Sequence, residues 1–122
     1  MKSKYFRQED FACRCGCGFD TIDEGLVGIL DNLRLSLDAP IIVTSGCRCK
    51  YQNKKIGGTE DSAHLKGKAV DIHMRNSQLR YKLIKEAIRL GIVRIGIGRK
   101  FIHLDIDIDL PTEVAWVYSE ND

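Results

Sequence analysis

Three histidines and several carboxylates stand where this chain could assemble a metal site. His64 closes a long polar stretch, Asp71 follows on a β-branched run, and His103 sits on a later alternating segment. Catalytic zinc commonly takes three nitrogen or oxygen ligands and leaves a fourth position open. These three residues could therefore hold one ion per chain and still admit water. His103 and Asp105 are separated by one residue, so on a strand their side chains leave the same face. That spacing sets a carboxylate beside a metal ligand, where it could act as general base or orient the site. His73 shares the face of Asp71, so His64, Asp71 and His73 form an alternative triad. Taken singly, a strand histidine is more often structural than a ligand, and Asp107 and Asp109 fit a solvated face.

Such residues need a frame. Thr21 and Glu24 have the form of a capping box. The spacing of Leu26, Leu30, Leu33 and Leu37 then predicts a helix over 23–37, which Pro40 keeps from continuing. Ile41 to Thr44 reads as a short strand. Residues 46–67 are rich in Gly, Lys, Asn, Asp and Ser and read as a long loop, a kind that is usually functional in a small domain. Ala69 to Met74 alternates, with Val70, Ile72 and Met74 on one face and Ala69, Asp71 and His73 on the other. Leu79, Leu83, Ile84, Ala87 and Ile88 have helical period, and Gly91 is placed to stop that helix. Val93, Ile95 and Ile97 make a third strand.

Phe101 to Leu110 carries the strongest strand signal. Ile102, Leu104, Ile106, Ile108 and Leu110 point inward, and His103, Asp105, Asp107 and Asp109 point toward solvent or a cleft. Ala115 to Tyr118 adds an edge strand. The expected class is α+β, a small antiparallel sheet with flanking helices. One domain spans 1–122, with an irregular N-terminal arm over 1–20.

Composition narrows the function classes. A chain of 122 residues suits one core, and 43% hydrophobic residues are enough to fill it. The net charge of +2, with both signs interspersed, gives no basic face for nucleic acid. No stretch has the length of a membrane span. Met1 to Asp10 lacks an apolar core, so the expected protein is a monomer made in the cytoplasm without a signal peptide. The five cysteines are Cys13, Cys15, Cys17, Cys47 and Cys49. An odd count argues against a secreted disulfide framework, and C-x-C-x-C differs from the C-x-x-C knuckles of common structural zinc sites. Reduced, partly buried thiols are the first reading, with an incidental disulfide or a second metal site as alternatives.

Ser62-Ala-His64-Leu-Lys-Gly67-Lys-Ala69-Val-Asp71 has the form S-x-H-x-x-G-x-A-x-D. It follows Ser45-Gly46-Cys47-Arg48, an S-G-x-R element, and precedes Phe101-Ile-His103-Leu-Asp105. The combination resembles the zinc D-alanyl-D-alanine carboxypeptidase family, which includes L-alanyl-D-glutamate endopeptidases of bacteriophage lysis. Its fold is shared with the signalling domain of hedgehog proteins. The resemblance runs from about Phe11 to Tyr118. It implies zinc on His64, Asp71 and His103, and a role for Arg48 on a substrate carboxylate or the tetrahedral oxyanion. It also implies peptidoglycan peptides as substrate, cut as carboxypeptidase or endopeptidase, with access to the wall through phage-type lysis or a phage particle. Well-known branches carry an acidic base a few positions before the second histidine ligand. Here Gly98, Arg99 and Lys100 stand there, which leaves Asp105 as base or as orienting residue. It also keeps a non-catalytic, zinc-stabilised binding module of the same fold as the alternative.

Overall fold

The computed structural model describes residues 1–119. Helix α1, Glu24–Leu37, buries Leu26, Val27, Leu30 and Leu33 along one stripe. Its cap is Asp23, not the expected Thr21: the Asp23 carboxylate accepts from the N–H groups of Gly25 and Leu26. The helix ends on Asp38 in the left-handed conformation (φ 47°), two residues ahead of Pro40. Helix α3, Ser77–Leu90, starts on Asn76 and stops at Gly91 (φ 108°), as expected.

The strands are β1 Val43–Ser45, β2 Ala69–His73, β3 Arg94–Ile97, β4 Phe101–Asp105 and β5 Val114–Val117. They form one sheet in the order β1-β2-β4-β3-β5. The α+β class holds, but the sheet is mixed. The β1–β2, β2–β4 and β3–β4 pairs are antiparallel, whereas β5 runs parallel to β3. The chain leaving β4 crosses the end of the β3–β4 hairpin before it adds β5, so an edge strand expected to be antiparallel has the opposite sense.

Period-2 alternation divides the sheet into two faces. Val70, Ile72, Ile95, Ile102 and Leu104 join the α1 and α3 side chains in one hydrophobic cluster. The N-terminal arm joins it too, through Phe6 and Phe11. A 3-10 turn, Gln8–Phe11, gives that arm local order. The opposite face carries Asp71, His103 and Asp105. The 46–67 stretch, read as loop, contains a short helix α2, Lys50–Lys55, and a 3-10 turn, Ala63–Lys66. Both are too short to leave a hydrophobic period in the sequence.

The long strand expected from Phe101 to Leu110 ends at Asp105. Beyond it the faces invert: Asp107 is fully buried and Ile108 is 75% exposed. The cause is local. The Asp107 N–H donates to Asp105 Oδ1 at 3.1 Å, and the Asp109 N–H to Asp107 Oδ1 at 3.0 Å. These turns compete with the ladder for backbone groups. Lys66 then anchors the buried carboxylate, with Nζ 2.6 Å from Asp107 Oδ2. Burial would raise the Asp107 pKa, but Lys66 outweighs it and holds the group below its ordinary 3.8. A depressed carboxyl pKa contributes stability above the unfolded value, lost as pH falls through the folded one. Lys66→Met should cost about 1–2 kcal/mol at neutral pH, the lower part of the range for stranding a buried acceptor, because Lys66 is 39% exposed. Urea unfolding should show that deficit shrinking as pH drops below 3.8. An unchanged deficit in acid would detach it from the ion pair.

Candidate metal centre

One row of residues crosses all five strands. Ser45 on β1 pairs with Asp71 on β2, Asp71 with His103 on β4, His103 with Gly96 on β3, and Gly96 with Trp116 on β5. Paired residues on adjacent strands share a face, so Asp71 and His103 meet side by side. His64 arrives from the 3-10 turn above them. Gly67 closes that turn at φ 67°, and its N–H donates to the His64 carbonyl. A Cβ at Gly67 would lie 2.2 Å from the Thr21 carbonyl oxygen, so the return loop needs glycine on two counts.

The three side chains converge: one donor atom each from His64, Asp71 and His103 lies within 4.8 Å of the others. All three residues are buried. His64 Nδ1 lies 2.6 Å from the Gly46 carbonyl, which only accepts, so Nδ1 carries the proton and Nε2 turns toward Asp71 Oδ1 at 3.3 Å. His103 is oriented the other way. Its Nε2 donates to Asp105 Oδ2 at 2.6 Å, and its Nδ1 faces Asp71 Oδ1 at 3.0 Å. Two ring nitrogens and a carboxylate oxygen thus aim at one point, with each outer nitrogen tied to an oxygen. That is the donor set and outer-shell arrangement of a histidine–carboxylate zinc site, and it fits the ion.

Electrostatics support the fit. Burial would raise the Asp71 pKa, but the hydrogen bond with His103 and the nearby His64 ring outweigh it and hold the group well below the carboxylate range. Burial pushes His64 down from 6.5 against the pull of Asp71. For His103 burial also works downward, yet the hydrogen bonds to Asp105 and Asp71 win and raise it. The space between His103 Nδ1 and Asp71 Oδ1 therefore favours positive charge, whether a proton or a cation.

Arg48 and Asp105 both lie against these ligands. Arg48 donates from Nη2 to Asp71 Oδ2 at 2.9 Å, from Nε to Ser45 at 3.0 Å and from Nη1 to Asn53 at 3.3 Å. Asp105 is 1% exposed and sits behind the His103 ring, with Arg94 Nε 3.1 Å from its Oδ1. His73 is exposed and pairs with Phe101, outside the convergent group. Above the row lies a cleft of about 640 Å³, lined in part by Asp61, Trp116 and Tyr118. Gly96 makes room for this aromatic wall, because a Cβ there would lie 2.6 Å from the Tyr118 ring and 2.8 Å from the Trp116 ring. The Trp116 and His103 centroids are 5.3 Å apart. Burial pushes the Tyr118 hydroxyl up to about 12, so it is a hydrogen-bond donor at neutral pH.

The sequence reading missed Arg94, Asn53, Trp116 and Tyr118. Trp116 and Tyr118 did carry a signal: two aromatics with strand spacing beside a glycine-containing partner strand.

Metal binding must displace the His103 proton, so zinc affinity at this site should rise with pH through 6.5 and beyond. Asp105→Asn removes the carboxylate behind the ring. It should move that inflection to lower pH and weaken affinity at alkaline pH by about 10–100-fold. Chelator competition, counting only zinc whose binding His64→Ala abolishes, measures both. Superimposable curves for the two proteins would mean Asp105 does not hold the ring.

Compared with known protein families, residues 4–105 match the family described as Peptidase M15. No curated protein matches the chain. The matched stretch runs from the N-terminal arm to Asp105 and takes in all three donors, while Trp116 and Tyr118 lie beyond it. M15 peptidases are zinc-dependent. A match over that share of its length makes this chain a member of the peptidase M15 family.

Proposed function

We propose that this protein hydrolyses peptide bonds in the stem peptides or cross-links of peptidoglycan, with zinc held by His64, Asp71 and His103. The observation that carries the reading is the convergence of the three donor atoms on the floor of an open cleft. Zinc bound there would polarise the scissile carbonyl and make water nucleophilic near neutral pH.

The chain's own residues supply the rest. Asp105 acts through His103, because its carboxylate is spent on the ring nitrogen facing away from the donors. It is therefore a positioning residue, the second of the two roles its spacing allowed. Arg48 fixes Asp71 and keeps guanidinium N–H groups at the cleft for a substrate carboxylate or the oxyanion. The cleft-lining carboxylates are Asp61, Asp71 and Asp105, and of these Asp61 alone makes no ion pair or hydrogen bond among the described residues. Asp61 takes the proton from the attacking water and delivers it to the leaving nitrogen. Trp116 and Tyr118 offer an apolar wall and a hydroxyl donor to the peptide.

Digestion of purified peptidoglycan, read by mass spectrometry, tests the activity and names the bond. Products should appear with zinc, vanish with chelator and return on re-addition. A zinc-loaded protein that releases nothing would favour the non-catalytic binding module, the reading supported by Gly98, Arg99 and Lys100 standing where well-known branches of the family carry an acid. Asp61→Asn should retain zinc and lose about 100-fold or more in rate. Arg48→Ala should lose rate by a similar factor and also weaken zinc, because it frees Asp71. Full activity in Asp61→Asn would remove Asp61 from the proton path.

A further inference from the structure

A second group of ligands lies outside the cleft. Cys13, Cys15, Cys17 and Cys49 each offer a sulfur within 4.8 Å of the other three. The Sγ–Sγ separations are 3.5 Å for Cys13–Cys15, 3.6 Å for Cys15–Cys49 and 3.8 Å for Cys13–Cys49. Thiolates at about 2.3 Å from a tetrahedral zinc stand about 3.8 Å from one another. A disulfide would need about 2.05 Å, and two disulfides would give two close pairs instead of four mutually convergent sulfurs.

The backbone is folded to make this cluster. Gly16 and Gly18 adopt φ values of 82° and 94°, which turn the C-x-C-x-C segment back on itself. The Gly16 N–H donates to the Cys13 carbonyl, and the Cys13 N–H to the Phe19 carbonyl. Two further N–H groups point at sulfur: Cys49 N–H lies 3.4 Å from Cys13 Sγ, and Gln52 N–H 3.4 Å from Cys49 Sγ. Arg14 fastens the loop to β1 through the carbonyls of Val43 and Thr44. The glycine turns bring together sulfurs that C-x-C spacing on a regular strand would leave apart. Cys47, the fifth cysteine, is 1% exposed in the hydrophobic cluster and takes no part.

We propose that Cys13, Cys15, Cys17 and Cys49 bind a second, structural zinc ion as four thiolates. Four protein ligands close the coordination sphere, so this site has no open position for chemistry. Its effect is mechanical. It ties the N-terminal arm to Cys49, the residue after Arg48, where the arm already touches the site loop. The Cys47 N–H donates to the Phe11 carbonyl at 2.9 Å, and a Cβ on Gly46 would lie 2.8 Å from that same oxygen. Gly46 in turn holds His64. The count of one zinc expected from sequence becomes two.

Metal analysis of the reduced full chain, together with cobalt substitution, tests this independently of any hydrolysis. The wild type should hold two zinc ions, and its cobalt form should show a thiolate-to-metal charge-transfer band. Cys15→Ser with Cys17→Ser, both exposed positions, should hold one ion and lose the band. His64→Ala with His103→Ala should hold one ion and keep it. Zinc should also slow the reaction of four thiols with a thiol reagent in the wild type, a readout that needs no variant to fold. The proposal is overturned if the cobalt wild type lacks the band, or if zinc leaves thiol reactivity unchanged. A reduced protein that re-forms a disulfide among the four in the presence of zinc overturns it as well.

Discussion

The Asp71 carboxylate is the group on which the site depends. It is 8% exposed in the middle of a sheet, and both of its oxygens are spoken for. Oδ1 faces the two imidazoles and Oδ2 takes the Arg48 guanidinium. Withdrawing a carboxylate from water costs several kcal/mol, which only close opposite charge and hydrogen bonds can offset. Asp105 repeats the arrangement with Arg94 and the far side of His103. Two buried acids are thus matched by two arginines, and the imidazoles between them are left to bind a cation or a proton.

The sheet makes this arrangement possible because register, unlike loop geometry, leaves little freedom. A slip of one residue between β2 and β4 would send Asp71 or His103 into the hydrophobic cluster. Val70, Ile72, Ile102 and Leu104, all but fully buried on the reverse face, oppose such a slip. The apolar core therefore sets the ligand geometry. The irregularity between Val43 and Ser45 then turns the end of β1 so that Ser45 meets both Asp71 and Arg48.

Much of this was readable from residues alone, for a physical reason. Periodicity reports which side of an element is apolar, so α1, α3 and β2 followed from their leucines, isoleucines and valines. The same signal misled beyond Asp105, where Ile106 and Ile108 kept the alternation while Asp107 found Lys66 and turned inward. Ion pairing between residues distant in sequence leaves no period. Thr21 and Asp23 both suit a helix cap, and only the chain's path, set by the Asp23 N–H donating to the Gly67 carbonyl, selects the second. The donor set was visible as types and spacing. The orientation of each imidazole was not, because it follows from the Gly46 carbonyl and the Asp105 carboxylate.

The aromatic wall stands on β5, the outermost strand, and reaches the three converging donors across Gly96. Floor and wall are consequently separate parts. The floor is fixed by buried charge and by strands paired on both sides. The wall hangs on one parallel ladder, with Val117 of the same strand 77% exposed. The wall therefore meets the floor through side-chain contacts alone, Trp116 lying 5.3 Å from the His103 ring and under the Arg94 guanidinium, and the ladders that set the donor register do not pass through β5. Substitutions at Trp116 and Tyr118 can therefore reshape the cleft wall while the strand register beneath the three donors stays constant, provided that residue 96 keeps no side chain.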